Sequence, residues 1–199
     1  MKGPVVVKVG GSLLDWPGLP GRLSASLEAR PGDRLVLIVG GGRFADVLRG
    51  LDVLHGLGED RSHVLALRVL DLTARVLADL VPGFEVVEAL EELPSSWSRG
   101  RIPVLAPRSF LDQDDRSPDP LPHAWTTTTD SIAARLAVRL DARELLLLKS
   151  TPLPPGGRRS EAARLGLVDP EFVRSSDRLS RVLYQCLRDP EFSQPMLMD

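Results

Sequence analysis

The sequence predicts an α/β fold, three layers in αβα order around a mainly parallel central sheet, and three observations predict it. Val5-Val6-Val7-Lys8-Val9 and Leu35-Val36-Leu37-Ile38-Val39 are short apolar runs rich in β-branched residues, closed by Gly10-Gly11 and by Gly40-Gly41-Gly42. Runs of this length with glycine closure read as buried strands ending in tight turns. Each is followed by a helical pattern, and strands that alternate with helices require crossover connections and a parallel sheet. A third run, Glu144-Leu145-Leu146-Leu147-Leu148-Lys149, repeats the theme after another helix.

Between the first two strands, Leu19 to Arg30 reads as a helix stopped by Pro31-Gly32. After Gly42 a helix is expected from about Phe44 to Leu54. The longest helix is expected from Asp60 to Leu80, because His63, Leu67, Leu70, Ala74, Leu77 and Leu80 recur at spacings of three and four. Val64, Leu65, Val69, Leu72 and Val76 give that helix a second apolar side, which predicts burial against another subunit in a homodimer or larger homo-oligomer. Phe84 to Val87 and Ile102 to Leu105 are short strand candidates, separated by a polar helix or loop around Glu91, Glu92 and Trp97.

Residues 112–122, acidic and rich in proline, read as a surface loop that could hinge or close. A helix should follow, capped by Thr129 or Asp130, with Ile132, Ala133, Leu136 and Leu140 on its apolar face. Past the strand ending at Lys149 and the loop Pro152 to Gly157, two short helices are expected to complete the chain. Asp-Pro-Glu-Phe occurs at Asp169 and again at Asp189, and each copy reads as a helix start.

Composition narrows the function classes. The 199 residues are 43% hydrophobic and 26% charged with a net charge of -2, a globular balance without the basic footprint that nucleic acid or an acidic membrane would require. A single cysteine, Cys186, excludes an internal disulfide framework and points to the cytoplasm. The opening Met1-Lys2-Gly3-Pro4 shows no signal-peptide core, and no apolar run reaches the roughly 18 residues of a membrane span. His55, His63 and His123 are scattered, so spacing gives no metal-site signal.

The two strand-to-glycine junctions carry the chemistry. In a parallel sheet, ligands bind at the carboxyl ends of the strands, where glycine lets backbone amides approach an anion without a Cβ in the way. One junction is an ordinary turn; two, with Lys8 just ahead of the first pair, point to a phosphate. Neither matches the P-loop G-x-x-x-x-G-K-[ST] or the dinucleotide G-x-G-x-x-G.

Lys8-Val9-Gly10-Gly11-Ser12, then Val39-Gly40-Gly41-Gly42, then Thr129-Asp130-Ser131-Ile132-Ala133-Ala134 ahead of a strand, resembles the amino acid kinase superfamily over residues 5–151. That superfamily includes acetylglutamate, uridylate, carbamate and isopentenyl phosphate kinases. Ser62-His63 and Leu121-Pro122-His123-Ala124-Trp125 resemble, within it, the aminomethyl-furanmethanol phosphate kinases of methanofuran synthesis. The resemblance implies a carbamate kinase-like fold in one domain, with residues 1–120 binding the acceptor and a shortened lobe, 121–199, binding the nucleotide.

It further implies an ATP- and Mg2+-dependent phosphotransferase acting on a small phosphorylated or carboxylated metabolite. Lys8 would neutralise the phosphoryl group in flight and Asp130 would orient lysines. Gly10, Gly11 and Ser12 would hold the terminal phosphate of ATP, with Lys149 and Ser150 beside them. Gly40, Gly41 and Gly42 would face the acceptor, with His63 and His123 lining its pocket; if the acceptor is itself a phosphate, Arg43 and Arg49 are the nearest cations in sequence. Where relatives carry an Asp-Gly turn after the strand ending near Lys149, this chain has Pro152-Leu153-Pro154-Pro155-Gly156. That departure keeps a second class open, a catalytically silent relative serving as a binding or scaffolding subunit.

Overall fold

The computed structural model describes residues 3–199; Met1 and Lys2, which begin the opening stretch discussed above, lie outside them. In chain order the elements are β1 (Val5–Val9), α1 (Leu19–Glu28), β2 (Leu35–Val39), α2 (Gly42–His55), α3 (Glu59–Leu80), β3 (Phe84–Val87), α4 (Leu93–Ser98), β4 (Ile102–Leu105), α5 (Arg108–Asp114), α6 (Thr129–Arg139), β5 (Glu144–Lys149), α7 (Arg159–Arg164), α8 (Phe172–Ser175), β6 (Val182–Cys186) and β7 (Met196–Leu197). The strands form one seven-stranded sheet in the order β3-β4-β2-β1-β5-β6-β7. All pairings are parallel except that of β6 with β7.

β1 lies between β2 and β5, with Lys8 level with Ile38 on one side and Leu147 on the other. Alternation along the strand then decides what each residue meets. Val5, Val7 and Val9 pack into one core with Leu23 and Leu27 of α1 and Leu77 of α3. Val6 points to the opposite core, with Leu136 and Ala137 of α6. Lys8 shares the parity of Val6, so the single charged residue of a fully buried strand faces the α6 layer. By the same count Lys149, two beyond Leu147, emerges on that face one strand over.

Burying each Val or Leu of the central strands contributes about 1.5–3 kcal/mol, which fixes the register and with it the place of both lysines. At the opposite end of the sheet, buried Glu144 opens β5 held by Arg30 and by Arg181, whose Nε lies 2.6 Å away. That charge is fully paired and far from the carboxyl ends of the strands.

Three sequence expectations need correction. The cap of α6 is Thr128, not Thr129 or Asp130: its side chain accepts from the Asp130 amide at 3.4 Å. The Asp130 carboxylate is committed elsewhere, and Asp169 completes the cap by accepting from the Thr128 amide (3.0 Å), Thr128 Oγ1 (2.7 Å) and the Ser131 amide (3.1 Å). Residues 112–114 finish helix α5 instead of opening a loop. Asp114 then accepts from the Leu121 amide at 3.0 Å, tying down the stretch that follows.

The chain's end also differs. The first Asp-Pro-Glu-Phe leads into α8 as expected, but strand β6 follows it, and the second copy forms a turn in which Asp189 accepts from the Glu191 and Ser193 amides, each at 3.1 Å. β6 escapes sequence reading because Gln185 interrupts its apolar run. The fold satisfies that buried amide with Ser26 Oγ (2.7 Å) and the Ser193 carbonyl (3.1 Å).

Candidate active site

At the carboxyl ends of β1 and β5, one carboxylate separates two ammonium groups. Asp130, in the first turn of α6, has Oδ1 2.8 Å from Lys8 Nζ and Oδ2 2.7 Å from Lys149 Nζ. Lys8 is 5% exposed and Asp130 3%. Burial alone would push the Asp130 carboxyl up; the charges of Lys8 and Lys149 overcome it and hold the group below its ordinary range. The same burial, reinforced by the charge of Lys8, pushes the Lys149 ammonium down to about 8 despite the attraction of Asp130.

The glycine loops meet directly beside this trio. A Cβ on Gly11 would lie 2.2 Å from the Gly42 amide nitrogen, and one on Gly42 would lie 2.5 Å from the Gly11 carbonyl oxygen. Gly42 also has a φ of 52°, in the left-handed region that glycine occupies without strain. Only glycine lets the two backbones touch. The Gly10 and Gly40 amides are absorbed by the sheet, donating to Leu148 (2.8 Å) and Val9 (2.9 Å) carbonyls. Gly11 opens a 3-10 turn, Gly41 caps α2 and Gly42 begins it, positions whose N–H groups have no acceptor within the helix and can face an anion.

A cavity of about 400 Å³ opens over these groups, lined by Lys8, both glycine loops, Ser12, Asp130, Lys149 and Ser150. Ser12 Oγ and Ser150 Oγ are 2.9 Å apart, which joins the β1 loop to the β5 loop, and Arg188 donates to the Ser12 carbonyl at 2.8 Å. Toward α3 the wall continues through Leu67 and Leu70 to Ser62, His63, Trp125 and Thr127. Trp125 Nε1 donates to Asp52 at 2.7 Å while Arg49 lies 4.7 Å over its ring, so the indole is fixed from two sides.

Most residues singled out from sequence come together here, and two stand apart. Arg43 is directed outward to Asp15 at 2.9 Å and does not line the cavity; Arg49, one helical turn and a half later, does. His123 stands behind His63, the rings stacked with centroids 3.8 Å apart, and is bonded to Asp115 at 2.8 Å. Two of the three histidines that looked scattered in sequence thus meet, and His63, His123 and Asp115 offer ligand atoms all within 4.8 Å of one another. Ser62 entered only through the Ser62-His63 resemblance, and Thr127 and the Asp169 cap carried no local signal, because their roles arise from long-range packing. Among the described residues, no helix is long and apolar enough to cross a membrane.

Comparison with known proteins identifies the family. The sequence model described as the amino acid kinase family matches residues 3–153. The (5-(aminomethyl)furan-3-yl)methyl phosphate kinase of Methanocaldococcus jannaschii is 31% identical over 144 residues, covering 71% of this chain and 63% of that protein. The chain therefore spans just under two thirds of that relative's length. UMP kinase from Bacillus anthracis superposes with a TM-score of 0.63 at 12% identity over 99% of both chains, and uridylate kinase from Archaeoglobus fulgidus with 0.55 at 22% identity over 77% of this chain and 65% of that one. These structures share the α/β fold with its mostly parallel sheet.

The depressed Lys149 gives a measurable signature. Since the unfolded chain holds this proton up to the ordinary 10.5 and the folded chain releases it near 8, the group makes stability rise with pH between those values. After 13C-methylation of lysines, the NMR resonance missing from Lys149→Met should titrate with a midpoint near 8. A midpoint at the ordinary lysine value would show that the ammonium is not buried beside Lys8.

Proposed function

The chain belongs to the amino acid kinase family, and from that premise we propose that it transfers the terminal phosphoryl group of ATP to a small acceptor that itself carries a phosphate. The observation that carries this reading is the buried Lys8–Asp130–Lys149 trio beside two abutting glycine loops. Phosphoryl transfer needs little covalent chemistry from a protein. It needs alignment of donor and acceptor and positive charge around the equatorial oxygens.

In this reading the Gly11 and Ser12 amides hold the terminal phosphate of ATP, and the Gly41 and Gly42 amides face the acceptor. Lys8 and Lys149 stabilise the charge of the group in flight. Asp130 is a positioning residue, because both its oxygens are already taken by ammonium groups. For the same reason it is a poor ligand for Mg2+, so magnesium would enter with the nucleotide and be held by phosphate oxygens, supplying further charge neutralisation. The curated relative's name supports an aminomethyl-furan phosphate as the first acceptor to test. Residues 1–120 would serve the acceptor and 121–199 the nucleotide.

The silent-relative reading draws on the proline-rich loop after Lys149. The intact trio favours the kinase. If it is one, Lys8→Ala should lower turnover about 100-fold or more, the scale of losing one charge from a preorganised site. Radiolabelled ATP with the furan phosphate measures this, and equal rates in the two proteins would remove Lys8 from catalysis.

We also propose a homodimer. Phe44, Val47, Leu51 and Leu54 form an exposed stripe on α2 at spacings of three and four, continued by exposed Val64, Leu65 and Leu72 on α3. Large exposed apolar patches on a folded chain mark interaction surfaces. Light scattering should return a mass near twice 21.7 kDa, and a monomer at micromolar concentration would contradict the proposal.

A further inference from the structure

Residues 122–127 form a short strap in the cavity wall, to which Ala124, Trp125 and Thr127 contribute. Both ends are anchored. Leu121 is buried with its amide bonded to Asp114 at 3.0 Å, and the Thr128 amide donates to Asp169 at 3.0 Å. The strap's own backbone bonds, from Ala124 to the Pro122 carbonyl and from Thr127 to the Ala124 carbonyl, stay within it. Side chains fasten it to α2 and α3. Trp125 reaches Asp52 and Arg49 of α2, and the His123 ring lies on that of His63 of α3, 3.8 Å away and within 9° of parallel.

The seam between strap and helix is poorly satisfied. Ser62 Oγ and His63 Nε2 on α3, and Thr127 Oγ1 on the strap, are buried atoms without a hydrogen-bond partner among the described residues. Buried polar atoms are nearly always paired, since leaving them unpaired forfeits their hydration without return. Lifting the strap would return water to this seam, so these atoms do not hold it shut. The stack also rules out one metal ion shared by the two rings. An imidazole binds metal through a lone pair in its ring plane, and two parallel stacked rings have no common point in their planes.

The stack is sensitive to protons instead. Two imidazoles this close pack face to face while one is neutral and repel once both are charged. Neighbouring carboxylates moderate the repulsion without cancelling it. Asp115, at the end of α5, bonds one nitrogen of His123 at 2.8 Å, and solvent-exposed Asp60 of α3 lies 3.8 Å from the other. Both act on His63 as well, together with Asp112 of α5. Burial and the charge of His123 outweigh all three and hold His63 below the ordinary 6.5. Lifting the strap removes both causes, so the open state takes up the proton first and acid favours opening from 6.5 downward. We propose that residues 122–127 are a proton-released strap, seated on α3 while either His63 or His123 is neutral and lifted from the cavity when both are charged. The strap rests on this seam alone, whereas its effect on the acceptor rests on the kinase reading above.

Fluorine NMR of the fluorotryptophan-labelled protein reads the strap directly, the Trp125 signal being the one missing from Trp125→Phe. Between about pH 7.5 and about pH 5 that signal should move with a midpoint below 6.5, while the signals of Trp16 and Trp97 stay in place. His63→Gln and His123→Gln each remove one of the two charges, and each should abolish the movement. A stationary Trp125 signal, movement that persists in both variants, or joint movement of all three tryptophans would overturn the strap. Calorimetry with the aminomethyl-furan phosphate reads the consequence. Because that phosphate titrates in the same range, the comparison is with His123→Gln. Over this interval the parent should lose about tenfold more affinity than the variant, the effect of one linked proton across one pH unit. Equal loss in the two proteins would overturn control of the cavity by the strap. Binding at neither pH would count against the kinase reading with this acceptor, and the Trp125 signal would still decide the strap.

Discussion

One carboxylate held between two ammonium groups constrains the rest of this structure. Lys8 and Lys149 emerge from neighbouring strands on the same face, largely shielded from water. Asp130 makes both tolerable, and in doing so it must give up the ordinary duty of an acid in the first turn of a helix. Thr128 and Asp169 take over that duty. The unusual cap follows from this pairing, whereas the depressed Lys149 comes from its burial and the charge of Lys8, against the pull of Asp130. Replacing such buried charges by apolar residues would often cost a fold little, so their retention argues for a use beyond stability.

The glycine contact is the second constraint, and it is geometric. Because the Gly11 and Gly42 backbones touch, the turns after β1 and β2 form one surface whose remaining amides lie beside the lysines. An anion there meets directed N–H groups and fixed charge without any side chain having to move. The cavity's other wall is built from long-range contacts, with stacked histidines and an indole clamped between Arg49 and Asp52. The two ends are therefore different chemically, and an acceptor would have to match both.

Much of this was legible in the sequence. The strands at Val5, Leu35, Phe84, Ile102 and Glu144 were readable because each is a short apolar run, and the glycine loops and Asp130 because their order resembles a family pattern. Strand β6 was not, since the polar Gln185 within it is explained by Ser26, remote in sequence, and by the Ser193 carbonyl beyond the turn that follows the strand. The outward turn of Arg43 was not either, because one step of helical phase separates a residue that lines a pocket from one that faces solvent. The pairing of His63 with His123 depends on a turn between residues 115 and 128 that tucks against α3, and no local pattern specifies it.

The most direct test of this account is the unfolding of Asp130→Asn in denaturant at pH 7, with and without ATP and magnesium. Losing the carboxylate leaves two buried ammonium groups facing one another, so stability should fall by about 3 kcal/mol, the lower range for breaking a buried ion pair. Nucleotide phosphates at the same place should restore more stability to the variant than they add to the parent protein. An unchanged midpoint without nucleotide, or equal stabilisation of both proteins by it, would contradict the claim that Asp130 holds the two lysines ready for a phosphate.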